Sequence, residues 1–253
     1  MQQIGITEQG DAGIDFAWMP WVADGSPAVL ITKNPASVAA RLAQMIANGS
    51  PHNVIVHANI TGNGGTALEP HVPLAVKALA GFARLVDLLG AERVVLRIDP
   101  ILGTPEGIYT AIAVIRQARR IAETRVRVSW LDLYPHSKER MDAAGISYPW
   151  TAFHTPLWVR EDHLALLELA AERPIEVCGE PGMDVTPCVG PLDAQILGVE
   201  LGGGRGWQRR ACRCVAEKFE LLSTKAPCQH GCTYCYWKGD PPDVVHDRSR
   251  AEA

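Results

Sequence analysis

The sequence predicts an α/β fold built on a parallel sheet. Short apolar runs rich in β-branched residues alternate with amphipathic stretches, and polar residues stand where each run would finish. The runs Ala28–Thr32, Asn53–Ala58, Arg93–Ile98, Val126–Leu131 and Pro174–Cys178 read as buried strands. Between them, Val38, Leu42 and Met45 share one helical face, Val76, Leu79, Ala83 and Val86 a second, and Ile108, Ile112 and Ile115 a third. Leu164, Leu167 and Ala170 suggest a fourth. Strands that alternate with helices imply βαβ units.

The strand ends carry the chemistry-bearing residues. They are Thr32-Lys33-Asn34-Pro35, His57-Ala58-Asn59, Arg97-Ile98-Asp99-Pro100, Asp132-Leu133-Tyr134 and Glu180-Pro181. Sites in parallel α/β folds form at the carboxyl ends of strands, so these groups are expected to converge on one mouth. For any single one of them an ordinary cap or turn competes, since Asp, Asn and Pro are common turn residues. The glycine-rich segment Thr61–Thr66 offers backbone N–H groups to an anion, but without a P-loop lysine it reads as a turn.

The chain has 253 residues, 47% hydrophobic and 21% charged, enough to bury a full core. A net charge of −4 supplies no overall basic field for nucleic acid, although a local basic patch would suffice. No run of about 18 apolar residues appears, so no membrane span is expected. The N-terminus lacks the basic start and apolar run of a signal peptide, and a cytoplasmic location is expected.

All seven cysteines fall between Cys178 and Cys235. An odd number in a reducing compartment argues for metal binding over disulfides. Cys228, Cys232 and Cys235 have the spacing C-x3-C-x2-C, with Tyr234 directly before the third. Three thiolates in so short a loop suit three irons of a [4Fe–4S] cluster and leave the fourth iron open. A zinc knuckle with His230 as fourth ligand competes, as does a dithiol of Cys232 and Cys235, which leaves Cys228 unexplained. Cys178, Cys188, Cys212 and Cys214 match the number needed for a complete second site and are expected to bind a second iron–sulfur cluster, with buried free thiols as the alternative.

This motif resembles the signature of the radical S-adenosylmethionine (SAM) superfamily, whose members carry it near the N-terminus. Its place at the end of the chain is similar to a smaller family with a C-terminal radical-SAM-like cysteine cluster. Thr32-Lys33-Asn34-Pro35, Leu68-Glu69-Pro70, Arg97–Leu102, Leu131–Tyr134 and Gln208-Arg209 before Cys212-Arg213-Cys214 look like that family's blocks. The resemblance implies a permuted partial (β/α) barrel of radical SAM type with a C-terminal Cys-rich iron–sulfur lobe. Residues 1–177 would form the barrel, 178–238 the cluster region, and 239–253 a poorly ordered tail.

The implied activity is reductive cleavage of SAM at the cluster, followed by hydrogen abstraction in an isomerase or lyase type of reaction. By the same analogy, Arg97, Asp99 and Asp132 are catalytic candidates, and Lys33, Asn59, Glu180 and Tyr234 would hold cofactor. An electron donor such as flavodoxin or ferredoxin is the implied partner. Phage isomerases that rearrange amino-acid-decorated thymine in DNA are one substrate precedent, permitted by the short chain and by Arg209 and Arg210. Peptides, nucleosides and free amino acids are equally open. Rival readings are a non-catalytic iron–sulfur or zinc protein and a DNA-repair lyase of the spore-photoproduct type. His57 and His154, and the tryptophans at 18, 21, 130, 150 and 158, read as packing or structural groups.

Overall fold

The computed structural model describes residues 2–50, 52–204, 206, 210–222 and 228–236. Gln208, Arg209 and the tail from Gly239 lie outside the described residues. The strands are β1 (Ile4–Ile6), β2 (Ala28–Thr32), β3 (Val54–Asn59), β4 (Val94–Ile101), β5 (Arg125–Trp130), β6 (Glu176–Val177) and β7 (Lys218–Glu220). They form one seven-stranded sheet in the order β6-β5-β4-β3-β2-β1-β7, with every pairing parallel.

From β1 to β6 each connection leads to the neighbouring strand in one direction. The main helices are α2 (Pro35–Ala47), α3 (Ala75–Leu89), α4 (Pro105–Arg119) and α6 (Leu157–Ala171). Right-handed crossovers in a monotone order put such helices on one face, and the sheet curls away from them as a half-barrel. Leu30, Val56, Leu96 and Val128 meet the helices in the main core. The alternate residues Val29, Ile55 and Val95 face the concave side, where α7 (Pro191–Leu197) closes the bottom with Ala194 and Leu197.

Local chemistry sets the helix starts. Pro35 and Pro105 occupy the first helical position. Behind them the Asn34 side chain accepts from the Ser37 amide at 3.3 Å and Thr104 from the Gly107 amide at 3.1 Å. The short helices α1 (Met19–Ala23) and α5 (Pro135–Ala143) complete the set.

Two differences from the sequence reading are informative. The buried face of α3 runs through Ala78, Leu79, Phe82 and Leu85, while Val76 is exposed. The helix is rotated because it packs on α2 as well as on the sheet: a Cβ at Gly81 would lie 2.3 Å from the Ala36 amide nitrogen. Gly81→Ala is therefore expected to force these helices apart and cost roughly 1–3 kcal/mol, read as a shift in the urea midpoint. Secondly, the chain after Val177 does not stand apart from the sheet. β7 returns to pair with β1, with Ile4 bonding Glu217 and Leu221 bonding Ile6 through the backbone.

Candidate functional site

The concave face changes from apolar to polar along each strand. On β3 the sequence steps Ile55, His57, Asn59, and on β4 it steps Val95, Arg97, Asp99. Period-2 geometry thus stacks a hydrophobic floor, a buried cationic layer and a polar mouth. In the middle layer, Arg127 donates to His57 Nε2 at 3.3 Å, to the Cys188 carbonyl at 2.9 Å and to Glu176. Burial, then Arg127 and Arg97, push the His57 pKa well down, so the ring is neutral.

Above this layer lies a cavity of about 330 Å³. It is lined by strand-end residues, among them Lys33, Asn59, Arg97, Asp99 and Asp132, and by all seven cysteines. Five of the sequence-predicted charged and amide groups therefore share one mouth. Asn59 clamps the backbone of Asp99, donating to its carbonyl at 2.8 Å and accepting from its amide at 3.0 Å. Arg97 forms a two-pronged pair with Asp99 Oδ2 at 2.6 and 3.0 Å and also donates to Cys188 Sγ at 3.1 Å. His154 donates to Asp132 at 2.7 Å. Glu180 is placed differently: it is buried outside the cavity lining, where it accepts from Ser129, the Trp130 amide and Arg160, each at 2.8 Å.

The three-cysteine loop is fastened over this mouth by its neighbours. Thr233 donates its amide to the Leu68 carbonyl at 3.0 Å, and the His71 amide donates to the His230 carbonyl at 3.2 Å. From α5, Ser137 donates to the Tyr234 carbonyl at 3.1 Å, and Arg140 reaches the carbonyls of Thr233 (2.9 Å) and Cys235. Cys232 and Tyr234 pack against Val72, Leu131, Leu133 and Met141.

Beneath the loop sits Glu69, 1% exposed, which no periodic pattern marked. It accepts from Lys33 at 2.8 Å, from Thr61 at 2.7 Å and from the Tyr234 hydroxyl. Burial alone would raise the Glu69 pKa, but Lys33, Tyr234 and Thr61 hold it below its ordinary value. Burial would likewise lower Lys33, yet Glu69 holds it up as the ammonium. Asp11 is a second anchor, which neither the periodicity nor the resemblance marked. It accepts from Thr32 and the Lys33 amide, both at 2.6 Å, and from His230 Nε2 at 2.8 Å. The bond to Asp11 ties His230 to the barrel wall through Nε2.

The cysteine chemistry is set by burial. Cys232 is pushed up to about 12 and Cys228 is raised, chiefly by desolvation, so both are neutral thiols. Cys178, Cys188 and Cys214 are buried together with Cys212 packed against them. Glu8, also unmarked by the sequence pattern, lies beside Cys188 and Cys214, is pushed up to about 7 by burial, and pairs with Lys218 at 2.7 Å. No helix among the described residues is long and apolar enough to cross a membrane.

No curated protein matches this chain. A family model described as a domain of unknown function, DUF1848, matches residues 23–237, which span β2 to the three-cysteine loop and take in all seven cysteines. The chain belongs to that family.

Proposed function

We propose that the protein is a radical SAM enzyme in which Cys228, Cys232 and Cys235 hold a [4Fe–4S] cluster over the cavity. One observation carries this reading. A C-x3-C-x2-C loop is anchored by Glu69, Asp11 and Arg140 so that its three cysteines border the same cavity as the strand-end polar groups. The donor set fits, because three thiolates suit a cube with one open iron. With cluster and SAM bound, the cofactors supply reductive sulfonium cleavage and a 5′-deoxyadenosyl radical.

The chain's own residues position the reactants. Asp99 gives Oδ2 to Arg97, and Oδ1 has no hydrogen-bond partner among the described residues, so it is available to a hydroxyl or amino group of a bound molecule. Tyr134 and Tyr236 stack with their centroids 5.9 Å apart at the cavity edge and offer an aromatic wall to a purine. Lys33 lies 5.5 Å over the Tyr234 ring and keeps positive charge beside Cys232. Hydrogen abstraction of the isomerase or lyase type then follows in the same cavity, with reducing equivalents from a flavodoxin or ferredoxin. DNA with amino-acid-modified thymine, nucleosides and peptides are the substrates to assay.

Electron paramagnetic resonance of the reconstituted, reduced protein tests the reading. SAM should shift the cluster signal, and a spectrum indifferent to SAM would count against it. Asp99→Ala is expected to weaken SAM binding roughly tenfold, about 1.4 kcal/mol, with cluster absorbance intact. Equilibrium dialysis under anaerobic conditions measures this, and unchanged affinity would place the cofactor elsewhere. Arg97→Ala is expected to act on both sides, because its guanidinium also bonds Cys188.

A further inference from the structure

The four cysteines outside the loop come from both edges of the sheet. Cys178 directly follows β6, one edge strand, and Cys212 and Cys214 lie a few residues before β7, the other. Cys188 lies on the segment between them, where the Val215 amide donates to the Val189 carbonyl at 3.1 Å. Cys178 Sγ and Cys188 Sγ lie 2.7 Å apart, Cys188 Sγ and Cys214 Sγ lie within 4.8 Å of each other, and Cys212 packs against the group.

That spacing selects the occupant. The 2.7 Å contact is longer than a disulfide of about 2.05 Å. It is about 1 Å short of the edge, about 3.8 Å, of a tetrahedron with zinc–sulfur bonds of about 2.3 Å. A cube instead attaches each thiolate to a different iron and so holds the sulfurs farther apart than a single ion does, whereas two of the pairs here lie within 4.8 Å. Among the described residues, no such sulfur contact joins Cys228, Cys232 and Cys235, so the two groups differ in kind.

We propose that Cys178, Cys188, Cys212 and Cys214 bind one tetrahedral divalent ion of the zinc class, which staples the two edges of the half-barrel across its open side. Four sulfur ligands close such a site, as structural zinc requires. The surroundings match it. Arg97 donates to Cys188 Sγ at 3.1 Å and approaches Cys178 Sγ at 3.8 Å, supplying the charge-assisted bonds that steady coordinating thiolates. Glu8 offers a carboxylate oxygen within 4.8 Å of Cys188 and Cys214 and pairs with Lys218 at 2.7 Å. This inference stands independently of the reading of the three-cysteine loop.

Elemental analysis of the full chain tests it. Wild-type protein should carry about one zinc per chain. The ion should survive in the triple variant Cys228→Ala/Cys232→Ala/Cys235→Ala and be lost in Cys212→Ser/Cys214→Ser. Should the latter fail to fold, cobalt substitution of the wild type decides: visible bands of tetrahedral thiolate cobalt support the site, and their absence overturns it. Zinc lost only from the triple variant would overturn it too, as would a Cys178–Cys188 disulfide without metal. About eight irons with matching sulfide after anaerobic reconstitution would mean a second cube instead.

Discussion

Replacing Cys228, Cys232 or Cys235 by Ala, one at a time, is expected to reduce 5′-deoxyadenosine formation to background, a loss of at least about a hundredfold. Disturbing only the supporting shell of a metal site already costs about 10–100-fold, and these are the proposed ligands themselves. Each thiol has a separate duty because the loop is held at several points. Cys232 is buried among Leu131, Leu133 and Met141, while Cys228 and Cys235 lie at the partly open ends. Removing one thiolate leaves a cluster with two protein ligands and exposes it to loss. Iron content and product yield should fall together after identical reconstitution. Wild-type yield from any of the three variants would remove the loop from the chemistry.

Glu69→Gln is expected to have the largest effect on the scaffold, about 3–5 kcal/mol of stability, because it leaves the Lys33 ammonium buried without its counter-charge. The same change weakens the bond to the Tyr234 hydroxyl, so the loop loses its seat. The double variant Lys33→Met/Glu69→Gln should recover part of the loss, since no unpaired charge then stays inside. The pH dependence has a defined sign. Glu69 is held below its ordinary value of 4.5, so its contribution is complete above that pH and is lost as pH falls through the lower folded value. Chemical denaturation across this acid range measures it. A Glu69→Gln protein as stable as wild type would show the pair to be dispensable.

What the sequence made legible follows from periodicity. β2 is the run Ala28–Thr32, and β3 to β6 lie on the other apolar runs, because a strand buried on both faces needs continuous apolar residues. β1 and β7 have three residues each, too few for a pattern, and β7 is amphipathic and lies at an edge. The polar strand ends pointed to one mouth, and Lys33, Asn59, Arg97, Asp99 and Asp132 are found there. Glu180 shows where that logic stops. A carboxylate just past a strand can equally bind backbone and arginine beneath the site. Glu69 and Asp11 sit in loops without periodicity, and part of what covers them comes from 165 and 219 residues away in the chain, from Tyr234 and His230. The same holds for the four outlying cysteines, which meet because a curled sheet brings its two edges together.

The central claim is that the cavity under Cys228, Cys232 and Cys235 cleaves SAM. Anaerobic reconstitution with iron and sulfide, followed by incubation with SAM and dithionite, tests it most directly. The account predicts 5′-deoxyadenosine in an amount that depends on dithionite and on all three cysteines. A protein that retains a full [4Fe–4S] cluster, binds SAM and still forms no 5′-deoxyadenosine under reduction would contradict it.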